Sequence, residues 1–127
     1  MSIGLAVADS TTLERFDDVS ALLAIVEQHP EWGRATLLLA ITYFREERFE
    51  LARPLFARAI ELDPEELSGR LFLGWSLFYL GDLGAAEGAI DSFLERSPEY
   101  AEGLYAKGLV RLERDDVARS IVEQRVN

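Results

Sequence analysis

Apolar side chains recur every three or four residues through most of this chain, in blocks separated by short polar breaks. That is the period of helices that bury one face, so an all-α chain without strands is expected. Leu13, Phe16, Val19, Leu22, Leu23 and Val26 line one face of a first helix, and Thr11 with Glu14 has capping-box spacing at its start. The breaks divide the chain into seven helices, over about 11–28, 33–46, 49–62, 67–80, 83–96, 100–113 and 115–126. Residues 1–10 stay unassigned as an N-terminal segment, and 11–127 read as a single domain.

Three breaks are the same break. Pro30, Pro64 and Pro98 lie 34 residues apart, and each is followed by glutamate. A helical pattern repeating at this interval is the mark of a helix-turn-helix solenoid, in which each unit covers the apolar face of the next. The chain from Gly33 reads GRATLLLAITYFREERFELARPLFARAIELDP, and from Leu67 it reads LSGRLFLGWSLFYLGDLGAAEGAIDSFLERSP. Both resemble the tetratricopeptide repeat, whose pattern is W-x2-L-G-x2-Y, then A-x3-F, then P. Thr36 and Arg70 stand at the tryptophan. Leu39, Ala40 and Tyr43 of the first copy match Leu73, Gly74 and Leu77 of the second. Ala52, Phe56, Ala59 and Pro64 complete the first copy; Ala86, Ile90 and Pro98 complete the second, with Gly81-Asp82 as its turn. The small residues mark close helix crossings, and Phe93, where the family favours alanine, is expected to open one.

The resemblance implies a right-handed superhelical α-solenoid of about three units, 33–66, 67–100 and 101–127, preceded by an extra helix at 11–28. The third copy is the weakest. Gly108 keeps the small position, but Lys107 and Arg111 occupy places usually held by Leu and Tyr. Leu104, Tyr105, Leu109 and Leu112 give its first helix an apolar face. Val117, Ala118, Ile121 and Val122 give its second helix one, against a polar side suited to a C-terminal cap.

Charge narrows the partners. The 127 residues carry a net charge of −10. Nucleic acid and anionic lipid both call for a basic surface, so neither is expected as a ligand, whereas a basic partner is favoured. Twelve of the thirteen basic residues are arginine, a bias we attribute to genomic base composition. The chain has no cysteine, hence no disulfide and no thiolate metal site. No basic residue precedes Arg15, which argues against a secretory signal, and no apolar run is long enough to span a membrane. A cytoplasmic location is the default.

Catalytic and cofactor chemistry has little to work with. His29, the single histidine, stands at a helix end beside Pro30, where it suits a C-terminal cap. Asp115-Asp116 reads as the start of the last helix, and Glu46-Glu47 as a solvated helix end. Gly84, Gly88 and Gly103 match no phosphate-binding loop. No enzyme activity, metal or cofactor is expected.

What remains is a surface. In the tetratricopeptide family the first helix of each unit lines a concave groove. The resemblance places Leu37, Ile41 and Phe44, Leu71, Trp75 and Phe78, and Tyr105, Leu109 and Leu112 there. All are apolar, so the Lys, Arg and Asn clamp that grips acidic chaperone tails in this family is missing. Between Leu71 and Leu80 only Gly74 and Ser76 are not large and apolar, and a helix apolar all round must be covered all round. The cover is either internal, from helix 11–28, from Ile3–Ala8 or from a second copy in a homodimer, or else an apolar segment of another protein. An exposed apolar groove on the order of 400 Å² gives roughly 10 kcal/mol gross when covered, and micromolar affinity once association costs are met. The function expected is therefore a protein-interaction adaptor or scaffold for an apolar peptide or helix. The alternatives are a homo-oligomeric assembly unit and a chaperone resembling those of secretion systems.

Overall fold

The computed structural model describes residues 19–126, and the expected capping box at Thr11, the segment Ile3–Ala8 and the first half of helix 11–28 lie outside them. Six helices follow one another: α1 Val19–Gln28, α2 Gly33–Arg45, α3 Phe49–Leu62, α4 Ser68–Tyr79, α5 Leu83–Arg96 and α6 Ala101–Val126. Among the described residues there is no strand. Each helix packs on its successor, and α4 also touches the helices two before and two after it, α2 and α6. This is the contact pattern of a one-dimensional helical stack, an all-α solenoid.

The repeated Pro-Glu pairs form one turn three times. Trp32 N–H donates to the His29 carbonyl at 3.0 Å, Glu66 to Asp63 at 3.1 Å and Tyr100 to Ser97 at 3.2 Å. Proline is then the second residue of each four-residue turn, where its fixed φ is already correct. His29 itself continues the α1 ladder, donating its backbone N–H to the Ile25 carbonyl at 2.8 Å, and is exposed.

The turns inside the first two units are also copies of each other. Arg48 N–H reaches the Tyr43 carbonyl and Glu47 N–H the Phe44 carbonyl, both at 2.9 Å. One repeat later, Asp82 reaches Leu77 at 2.9 Å and Gly81 reaches Phe78 at 3.0 Å. This paired closure needs a left-handed residue after the helix, supplied by Glu47 at φ 60° and Gly81 at φ 86°. Asp82 also opens α5, its Oδ1 accepting from Ala85 N–H.

Two apolar cores result. Leu22 and Ile25 of α1 join Ala35, Leu39, Ala40 and Tyr43 of α2 and Ala52, Phe56 and Ala59 of α3 in the first. Leu71 and Leu77 of α4, Ala86, Ile90 and Phe93 of α5, and Ala106 and Val110 of α6 form the second. Half-buried Leu73 packs against both, and the rings of Phe56 and Phe72 stack across the junction at 5.4 Å. The small positions are contacts: a Cβ on Gly74 would sit 2.5 Å from Ile90 Cγ1.

The break expected at 113–115 does not form. The sixth and seventh helices of the sequence reading are one helix of 26 residues, and no cap folds back. Asp115 occupies the register position of Glu47 and Gly81 yet stays helical. Nor is there a hairpin face to fold onto. Lys107 and Arg111, standing where Leu73 and Leu77 stand one unit earlier, reach instead to Asp91 (2.8 Å) and Glu87 (3.8 Å) of α5. The aspartate pair starts nothing; it lies mid-helix. Gly108, third in the series after Ala40 and Gly74, has no neighbour within 4 Å of a built Cβ.

Candidate partner-binding site

The groove residues anticipated on the first helices divide by burial. Leu37 and Leu71 are each 7% exposed and belong to the two cores. Ile41, Phe44, Trp75, Phe78 and Leu109 are half-buried, while Tyr105 is 63% exposed. Leu112, on the last turn of the predicted helix 100–113, is 59% exposed.

What joins the aromatic members is a chain of rings that crosses four helices. Phe44 of α2 meets Phe72 of α4 at 5.2 Å and Tyr79 at 6.3 Å. Tyr79 stacks on Phe49 at 4.8 Å and on Trp75 at 6.1 Å. Trp75 makes an edge contact with Phe78 at 5.9 Å and reaches Tyr105 of α6 at 6.4 Å. Tyr79, 56% exposed, is central to this cluster. It falls one turn beyond the consensus groove positions, which is why sequence register passed over it. Its signal was the unbroken aromatic run Phe78-Tyr79 at the end of α4.

Beside Trp75 lies a cavity of about 430 Å³ lined by Leu67, Ser68, Leu71, Phe72, Trp75, Phe93, Ser97, Tyr100 and Glu102. The corresponding crevice one unit earlier, between Gly33, Arg34, Leu37, Ala59, Asp63, Glu66 and Gly69, is about 80 Å³. Most of these residues correspond at an offset of 34, so the two crevices are the same feature in successive units. One substitution stands out: Phe93 replaces Ala59. Its ring fills the space vacated by Gly103, where a Cβ would lie 2.9 Å from Phe93 Cε2, and its edge meets Tyr100 at 5.3 Å. Gly103, which matched no motif in the sequence, is thus the partner that lets Phe93 into the α5–α6 contact.

Polar groups brace the site. Arg70, at the consensus tryptophan position, donates to the carbonyls of Pro64 (3.2 Å) and Ser92 (3.3 Å), tying the turn to the last part of α5. Glu102 places a carboxylate at the cavity wall. Among the described residues no group of three or more His, Asp or Glu side chains is placed to hold a metal ion, and no helix is long and apolar enough to cross a membrane.

Comparison with known proteins supports the architecture. No curated protein sequence matches the chain. Among solved structures, one titled MamA MSR-1 superposes with a TM-score of 0.72 at 22% identity, covering 76% of this chain and 56% of its own. Another, titled MamA AMB-1, gives a TM-score of 0.72 at 20% identity, covering 84% of this chain and 63% of its own. This chain thus spans less than two thirds of either relative, and the likeness is one of fold. The family model described as Tetratricopeptide repeat matches residues 14–66 and 72–124, and with both units accounted for, the chain belongs to the tetratricopeptide repeat family.

Proposed function

We propose that this chain is a protein-interaction module that takes a bulky apolar side chain of a partner segment into the cavity beside Trp75, with the flanking part of that segment lying over Trp75, Tyr79 and Tyr105. The observation that carries the reading is the difference between successive units. A crevice nearly closed in the first, at about 80 Å³, opens to about 430 Å³ in the second. That volume falls in the range of small-ligand sites, and a Phe, Trp or Leu side chain is the right size to anchor in it. Exposed aromatic rings beside it supply rigid contact area at little entropic cost. Leu37 and Leu71, buried in the two cores, supply inner walls of the two crevices.

A display library of short peptides presented to the full chain tests the reading. Selection of segments with one or two large apolar anchors is expected, with micromolar affinity followed by the fluorescence anisotropy of a labelled peptide. Trp75→Glu and Tyr105→Glu should each weaken binding at least tenfold while leaving the helical signal intact. Selected peptides that bind both variants as well as the parent would place the binding surface elsewhere.

A further inference from the structure

Six of the ten exposed large apolar residues among the described ones lie on α6: Leu104, Tyr105, Leu112, Val117, Ile121 and Val122. Gly108 is open to solvent on this same helix, at the register position that Ala40 and Gly74 use for close helix contact. From there a single stripe continues down the helix. Gly108, Leu112, Asp115, Arg119 and Val122 are spaced by four, three, four and three residues, the repeat of a helix that pairs with another helix. Gly103, Ala106 and Val110, which pack on α5, lie off this stripe, and Val117 and Ile121 continue their side of the helix, so Leu112 and Val122 are the exposed apolar residues that the stripe itself carries.

We propose that the stripe is a homodimer interface, in which α6 of one copy pairs antiparallel with α6 of a second copy, centred near residue 117. Charge selects the occupant. Residues 101–127 hold five basic and five acidic side chains, whereas residues 1–100 hold eight and eighteen and so carry the whole net charge of −10. α6 carries no net charge, and its acidic and basic side chains alternate along it, so two copies of this acidic chain can approach there without the repulsion that the rest of the net charge would impose. Charge also selects the direction. The two ionic residues within the stripe have opposite sign, and a twofold axis near residue 117 sets Asp115 of each copy against Arg119 of the other. A parallel pair would set Asp115 against Asp115. The same axis places Leu112 opposite Val122, and Gly108 admits the facing helix closely. The Arg119–Asp116 pair within one helix, 3.1 Å and exposed, is weak enough to exchange. Overlap of about five turns buries on the order of 1,200 Å² in all, at the lower end of stable interfaces, so dimerisation in the micromolar range follows.

The absence of cysteine from the chain makes the geometry directly readable. Sedimentation of the full chain should show a dimer above tens of micromolar. Asp115→Arg should give a monomer with unchanged helical content, and Asp115→Arg combined with Arg119→Asp should restore the dimer. Under mild oxidation the double variant Leu112→Cys, Val122→Cys should form covalent dimers, and either single variant should form at least tenfold fewer. Residues 112 and 122 are about 15 Å apart along one helix, too far to bridge within a copy. Trp75→Glu should leave the mass unchanged, which separates this interface from the cavity proposed above. A monomer at about 100 µM, a dimer indifferent to the Asp115 reversal, cross-linking through the single variants, or loss of the dimer in Trp75→Glu would each overturn the proposal.

Discussion

At the scale of single residues, two positions sit uneasily and both can be relieved. Thr36 stands where the family consensus has tryptophan; it is 1% exposed, and its Oγ1 has no hydrogen-bond partner. A buried hydroxyl left unpaired costs about 1–3 kcal/mol, and an isosteric apolar side chain removes that cost. Thr36→Val should therefore raise stability by about 1 kcal/mol, read as a higher denaturation midpoint at constant slope. Glu47 is the second case. Its φ of 60° closes the α2–α3 turn as Gly81 closes the α4–α5 turn, but with a side chain attached. A left-handed conformation costs a non-glycine residue about 1 kcal/mol or more, so Glu47→Gly should stabilise the fold by about 1 kcal/mol in the same measurement. The sequence showed Glu46-Glu47 only as a solvated helix end, because glutamate carries no turn signal of its own; Gly81-Asp82 did.

At the scale of elements, legibility followed the residues that can only act one way. Pro30, Pro64 and Pro98 each recur with glutamate at a fixed interval, which marks a turn where a lone proline such as Pro54, inside α3, does not, and all three boundaries lie where the period put them. Asp115-Asp116 can start a helix or sit inside one. Nothing between Leu112 and Val117 forbids helix, and Lys107 and Arg111 remove the apolar face onto which a last helix would fold, so the two expected helices are one. Of the proposed site, the sequence register reached Trp75 and Tyr105, whose rings the fold brings to within 6.4 Å of each other. The site was hidden where it depends on two residues meeting across helices, as with Phe93 and Gly103. Glycines separate in the same way. Gly74 faces Ile90, and Gly88 faces open space. Gly74→Ala should destabilise by about 1–2 kcal/mol through overpacking, while Gly88→Ala should stabilise by up to about 1 kcal/mol through helix propensity. Thermal melts of the pair should therefore move in opposite directions from one chemical change.

At the scale of the whole molecule, the array is two cores in series. They meet through Leu73, through the stacked rings of Phe56 and Phe72, and through the contacts of Phe44 and Phe49 with Phe72 and Tyr79. In such a stack, stability is a sum of units and interfaces, and damage is felt locally before it is felt globally. Ile90 is fully buried in the second core, between Gly74 and the rest of α5, and makes no contribution to the first. Truncation to alanine there should cost about 2–5 kcal/mol. If the cores are separable, Ile90→Ala will speed amide hydrogen exchange in α4, α5 and the first half of α6 by at least tenfold more than in α1 and α2. The consequence is functional as well as mechanical. The cavity beside Trp75 is lined from α4, α5, α6 and the turns next to them, so the same variant should impair peptide capture while the first unit stays folded. Equal acceleration across all six helices would instead show that Leu73 and the Phe56–Phe72 stack weld the array into one cooperative block, and binding would then fail only with the whole fold.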